Sequence, residues 1–155
     1  MEKNIKKSPE LIIDTSTFFS AIYNGSGNEA QLFTLADKGY FKIVIFQYVY
    51  DELKTVFLRK GINFELVIDL LDTYRNIYIE DIEELTDDEI SLAVQMISDP
   101  KDRPIFIFVH RKILASNSVF FVSGDNVFFT EDVVNIFNNR VYRTKEFIEK
   151  ITKKL

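Results

Sequence analysis

Leu11-Ile12-Ile13-Asp14-Thr15-Ser16-Thr17 is the stretch that decides how this chain folds. Three successive apolar residues without polar alternation read as a strand covered on both faces, which is the mark of a parallel sheet. Asp14 closes the run, and an Asp before Thr15-Ser16-Thr17 is also a good helix N-cap. The same order, apolar strand followed by a polar helix start, recurs along the chain. Residues 42–46 predict a second strand, followed by a helix over 47–60 that Gly61 stops. Residues 119–122, Val-Phe-Phe-Val, predict another strand, closed by Ser123-Gly124-Asp125.

Between these landmarks the spacing predicts helices over 17–22, 29–38 and 64–74, with a loop at Asn24-Gly25-Ser26-Gly27-Asn28. Ile77-Tyr78-Ile79 reads as a short strand, and Thr86 with Glu89 as a capping box for a helix reaching about residue 97. Pro104 suits a first helical turn, so a helix is expected over 103–115. A helix over 131–138, a strand at 141–142 and a closing helix over about 144–154 complete the pattern. Strands alternating with helices, with no hairpin signals, mean an α/β fold with a parallel sheet. No repeat, linker or low-complexity tract interrupts the chain, and one domain over residues 1–155 is expected.

Composition narrows the functional classes. The 155 residues are 46% hydrophobic and 28% charged, a globular balance large enough for a real core. The absence of Cys excludes disulfides, thiolate metal sites and a Cys nucleophile in this chain. No segment reaches the roughly 18 apolar residues that span a bilayer, and the charged start has no signal-peptide core. A cytoplasmic location without membrane attachment is the expectation. The net charge of −5 argues against a protein that coats nucleic acid. Its distribution matters more: seven of the ten residues from Glu80 to Glu89 are acids, while cations gather at Arg103, Arg111 and Lys112 and from Arg140 to Lys154.

Four acids sit where strands end or helices begin: Asp14, Glu52, Asp102 and Asp125. In an open α/β sheet the carboxyl ends of the strands form the ligand crevice. Acids gathered there repel one another, and the natural counter-charge is a hard divalent cation. Each also has an ordinary explanation. Asp14 caps a helix. Asp102 opens one, in competition with Asp99, and Asp125 occupies a turn. Glu52 falls with Tyr48, Val49, Leu53 and Val56 on the inward stripe of its helix, whereas Asp51 falls outside with Lys54 and Thr55. An inward acid needs a cationic side chain or a metal as its partner.

The pattern resembles the PIN-domain family. Asp14-Thr15-Ser16 after an apolar strand looks like the family's first motif. Glu52 in Val49-Tyr50-Asp51-Glu52-Leu53 is similar to its helical Glu. Asp99-Pro100-Lys101-Asp102-Arg103-Pro104 is similar to its Asp-Pro-x-Asp-x-Pro stretch, whose second Asp is the ligand. Val122-Ser123-Gly124-Asp125 resembles its Val-Thr-Gly-Asp ending, with Ser in place of Thr. The resemblance covers residues 11 to about 145, which leaves a short N-terminal extension over 1–10.

The resemblance implies a three-layer α/β/α sandwich with a mostly parallel sheet of about five strands. It also implies a nuclease that hydrolyses phosphodiester bonds of single-stranded RNA with one or two Mg²⁺ or Mn²⁺ ions. Asp14, Asp102 and Asp125 would hold the metal, and Glu52 would be a ligand or the base that orients water. Thr15, Ser16 and Ser123 would steady the carboxylates from behind, or act simply as caps. Arg103 is the candidate contact to substrate phosphate, or an ordinary solvated Arg. Many family members are toxins restrained by a small antitoxin protein, so such a partner and a second copy of the chain are further expectations. The alternative is a non-catalytic module of the same fold that binds RNA or a protein.

Other features read as structural. His110, amid Phe108, Val109 and Arg111, is expected to pack rather than react. The fifteen Phe residues are expected in the core rather than in base stacking. The acidic run from Glu80 to Glu89 reads as a solvated loop and helix start, or as a dock for a basic antitoxin tail. An aspartyl phosphatase or receiver domain is disfavoured, because Asp14-Thr15-Ser16 lacks the second acid those chemistries place after the first strand. From the family pattern the chain departs at the helix after Asp102, where Ala115-Ser116-Asn117 stands in place of a Gly turn.

Overall fold

The computed structural model of the protein describes residues 8–153, so most of the N-terminal extension expected over 1–10 lies outside the described residues. Among the described residues there are five strands: β1 Glu10–Ile13, β2 Lys42–Phe46, β3 Ile77–Glu80, β4 Val119–Val122 and β5 Val141–Tyr142. The helices are α1 Thr15–Tyr23, α2 Asn28–Asp37, α3 Gln47–Lys60, α4 Glu65–Thr73, α5 Asp87–Met96, α6 Arg103–Ala115, α7 Glu131–Ile136 and α8 Thr144–Thr152. All strand pairs are parallel, and their order across the sheet is β3-β2-β1-β4-β5.

That order has a functional consequence. From β1 the chain builds outward through β2 and β3, then crosses back to place β4 on the other side of β1. The strand order therefore reverses between β1 and β4, and such a switch point opens a crevice beyond the strands' carboxyl ends. In register, Ile12 pairs with Val44 and Phe121, and Ile13 with Val122. Asp14 and Ser123, each one residue further on, are thereby set side by side at the same sheet edge.

Both sheet faces are covered, as the unbroken apolar run of β1 requires. Leu11, Ile12 and Ile13 are fully buried. Successive residues point to opposite faces: Phe121 meets Phe128 and Phe137 on one, and Phe120 meets Phe147 of α8 on the other. Phe46 packs edge-on to Phe108 of α6, on the Phe121 face. The result is a three-layer α/β/α sandwich with an aromatic core. Among the described residues no helix is long and apolar enough to cross a membrane.

Element ends have local causes. Gly61 closes α3 at φ 68°, a left-handed conformation that favours glycine. The helix expected over 131–138 stops at Ile136, because Asn138 and Asn139 turn left-handed at φ 52° and 60°. A 3₁₀ turn, Asn126–Phe129, escaped the sequence reading because Val127-Phe128-Phe129 shows no helical period; Asp125 starts it by accepting from Val127 N–H. At the end of α6, where a glycine turn was missing, Arg140 does the work of a cap. Its guanidinium donates to the carbonyls of Ile113 and Ser116, groups that a helix end leaves unsatisfied, and to Val119 O at the start of β4.

Candidate active site

Asp14, Glu52, Asp102 and Asp125 line one cavity of about 340 Å³, together with Thr15 and Ser16. Four separate pieces of chain deliver them: the end of β1, the middle of α3, the start of α6 and the loop after β4. Phe19, Val56 and Ile105 form the apolar wall, and a low-dielectric wall strengthens every electrostatic interaction inside. Among the described residues, no Lys, Arg or His lines this cavity.

Asp14 is the most constrained acid. It is 4% exposed, and its Oδ1 accepts from Thr17 N–H at 3.0 Å and from Ser16 Oγ at 3.1 Å. Its Oδ2 accepts from the Ser123 hydroxyl at 2.5 Å. Ser123 in turn accepts from Asp125 N–H at 3.0 Å, so one fully buried serine ties the β1 and β4 acids together. Asp14 thus caps α1 and faces the cavity at once. Thr15 is buried, yet its Oγ1 has no hydrogen-bond partner among the described residues. A buried hydroxyl left so calls for a water or a ligand in the cavity beside it.

The other candidate acids differ in what each carboxylate touches. Asp99 Oδ1 accepts from Lys101 N–H at 3.0 Å and is an exposed turn residue. Asp102 stands before α6 but makes no capping bond with its side chain, and it lies on the cavity. On α3, Asp51 is exposed and bonds to Gln47, while Glu52 is half-buried on the cavity wall. Tyr48, one helical turn before Glu52 on the same helix, donates its hydroxyl to Lys101 O at 2.8 Å and so anchors the turn that carries Asp102.

The acids feel one another. Burial pushes the Asp102 carboxyl up to about 6, and the charges of Asp125, Asp99, Glu52 and Asp14 push in the same direction. The Tyr48 hydroxyl is raised too, by burial first and then by Glu52, Asp102 and Asp99. Burial, with like charges adding to it, disfavours the ionised form of an acid unless a counter-ion is near.

Arg103 is not on the cavity. Its Nε donates to Ile97 O at 2.8 Å and its guanidinium reaches Ser98 O at 3.1 Å, which fastens the loop ahead of α6. His110 lies against Phe106 and lines a separate groove with Leu92 and Arg111; burial holds its pKa down. Arg143, not singled out by the sequence reading, donates to Gly124 O and to Asn126 Oδ1, both at 2.6 Å, and covers the Phe129 ring at 3.7 Å. The parallel order was the available signal: a residue just past β5 must emerge at the same sheet edge as the loop after β4. Phe19 was expected in the core and instead stands half-buried in the cavity wall.

Fold and cavity together define a class: a parallel α/β domain whose switch point is lined by hard, acidic oxygen donors. A family model for the PIN domain matches residues 10–125, and the chain belongs to the PIN-domain family. A search of curated proteins finds no match to it. PIN domains are typically nucleases and generally use divalent metal ions. The donors present suit such an ion, being carboxylates of the kind that Mg²⁺ and Mn²⁺ prefer. Among the described residues, no three acids are drawn together as a ready-made ligand group. Mg²⁺ does not need one, since it keeps several waters and takes phosphate oxygens beside one or two carboxylates.

Proposed function

We infer that this chain is a metal-dependent endoribonuclease that hydrolyses phosphodiester bonds in single-stranded RNA. The observation that carries the reading is the convergence of four acids, from four elements, on one cavity that no cationic side chain lines among the described residues. In this reading Asp14, Asp102 and Asp125 hold one or two divalent ions. When bound, Mg²⁺ or Mn²⁺ supplies Lewis-acid polarisation of the phosphate and lowers the pKa of water. Ser123 and Ser16 fix the Asp14 carboxylate, so it needs no reorganisation when substrate arrives. Glu52, half-buried and without an ion-pair partner among the described residues, orients the attacking water and accepts its proton. The water oxygen bonds to phosphorus as the bond to the leaving ribose oxygen breaks, and that oxygen takes up a proton from solvent water.

The test is cleavage of a labelled single-stranded RNA by the full chain in Mg²⁺ or Mn²⁺. Asp14→Asn and Asp125→Asn each lower the rate by roughly 100-fold or more, with folding checked by circular dichroism. Cleavage that survives either change, or survives excess chelator, sinks the assignment. RNA binding without turnover in the unaltered chain would indicate the non-catalytic module instead. A small antitoxin partner is the corollary of a toxin role, and a neighbouring reading frame encoding a DNA-binding head with an amphipathic tail is its expected trace.

A further inference from the structure

We propose that an aromatic pocket beside the acid cavity is a subsite for an unpaired nucleobase of the RNA strand, an inference that rests on the endoribonuclease reading above. Phe19 belongs to both places: it walls the acid cavity, and it lines an adjoining pocket of about 260 Å³ with Tyr23, Phe57 and Leu66. The two cavities therefore share one ring as their partition. Phe19 and Tyr23 stand four residues apart on α1, on one helix face, with near-parallel rings at 5.7 Å and an interplanar angle of 16°. Phe57 supports Phe19 edge-on at 5.6 Å.

The exposure of Tyr23 is what a packing role fails to explain. It is 77% exposed, although its neighbour in the stack is half-buried. One exposed aromatic is ordinary on a surface. Here it continues a stack that begins at the acid cavity, which leaves its outer face open as a platform. Every nucleobase has a π-face, and stacking on such platforms is how single strands are held without sequence readout. The charge on the rim fits the same ligand. Lys60, in the last turn of α3, places its ammonium 5.5 Å from the Phe19 ring centre. Lys60 is thus a cation where a phosphate backbone would pass, beside a pocket lined by Phe19, Ile22, Tyr23, Phe57, Ile62 and Leu66.

The helix explains the direction of the strand. Asp14 caps the N-terminus of α1, Phe19 follows by about 7.5 Å of helix rise and Tyr23 by a further 6 Å or so. A strand whose scissile phosphate meets Asp14 can therefore lay a flanking base on the Phe19–Tyr23 stack. An apolar peptide would use the pocket but not the open ring face, the adjoining acids or the Lys60 rim.

The experiment is fluorescence anisotropy of a labelled single-stranded RNA on full-length Asp125→Asn protein, with and without Tyr23→Ala, and with Tyr78→Ala on β3 as a distant aromatic control. Tyr23→Ala weakens binding about 5- to 10-fold. Tyr23→Trp keeps the affinity, and so does Tyr78→Ala. An abasic residue scanned through the oligonucleotide reproduces the loss at one position and adds nothing once Tyr23 is Ala. Binding within twofold of the parent in Tyr23→Ala overturns the subsite, as does an equal loss on intact and abasic RNA, or a parent that binds no single strand. A Tyr23→Ala change that alters only the oligomeric state also overturns it and hands the pocket to a protein. Cleavage by the unaltered chain is read separately. Tyr23-dependent binding without cleavage keeps the subsite and sinks the nuclease, whereas cleavage with Tyr23-independent binding does the reverse.

Discussion

Asp102 carries, at single-residue scale, the electrostatic cost of gathering acids on one cavity. Its carboxyl is half-buried, makes no capping bond and faces three other cavity acids, so its ionised form is the one the fold resists at neutral pH. Removing that charge while keeping the shape relieves the strain. In excess chelator at pH 7, Asp102→Asn is therefore expected to stabilise the protein by about 1–2 kcal/mol, allowing for the group's partial exposure. For a chain of this length each kcal/mol moves Tm by roughly 2–4 °C. A calorimetric scan showing Tm unchanged or lowered would refute the electrostatic account of the cavity. The same substitution should remove cleavage, the usual conflict between a stable fold and a working site.

At this scale the sequence was legible where periodicity or chain order made a choice. The helix wheel separates Glu52 from Asp51, and the structure shows one on the cavity and the other in solvent. It was illegible where a side chain's partner lies on another element. Arg103 sits next to Asp102 in sequence, yet the carbonyls of Ile97 and Ser98 take its donors. Phe19 and Phe18 are adjacent and alike, but only Phe18 is fully buried. Neighbours on a helix point about 100° apart, and composition carries no information about which of the two meets a cavity.

Among the elements, α5 and α6 illustrate how the acidic run is kept folded. The expected capping box is present: Glu89 N–H donates to Thr86 Oγ1 at 3.2 Å, and Glu89 Oε1 accepts from Thr86 N–H at 2.9 Å. Arg111 of α6 then pairs with Glu89 and donates to the carbonyls of Glu83 and Glu84 at 3.1 and 2.7 Å. One guanidinium thus pins the loop after β3 and the first turn of α5. Hydrogen bonding from Arg111 is the main reason the Glu89 carboxyl lies at about 2. A depressed carboxylate contributes stability that is complete above its unfolded value, about 4.3, and drains away as pH falls towards 2. Glu89→Gln is expected to lower stability by about 1–2 kcal/mol at pH 7, between the values for exposed pairs and charge-assisted hydrogen bonds. The gap to the parent should close by about pH 2. Urea titrations at several pH values check this, and a gap independent of pH would refute it. Elements of this kind were readable because caps and glycine stops are local. The 3₁₀ turn at Asn126–Phe129 and the Arg140 cap of α6 were not, since one lacks a period and the other is made by a residue on the far side of β4.

The whole molecule couples these scales through the strand order. Because the sheet reverses between β1 and β4, the acids can meet only when β1, β4, α3 and the start of α6 are all in place. A divalent ion that binds them binds the folded state and not the unfolded chain, and such a ligand stabilises by mass action. At Mg²⁺ or Mn²⁺ a hundredfold above its dissociation constant, the gain is about 2.7 kcal/mol. Tm should then rise by roughly 5–10 °C. The shift belongs to specific binding if NaCl of equal ionic strength does not reproduce it, because monovalent salt screens the repulsion without bridging the acids. Asp102→Asn sharpens the measurement. That variant starts higher in chelator and should gain little from the divalent ion, so its melting curve and the parent's converge as metal is added. If both curves rise in parallel, or if NaCl matches the divalent ion, the four acids do not act as one metal-binding unit and the proposed catalytic centre falls with them.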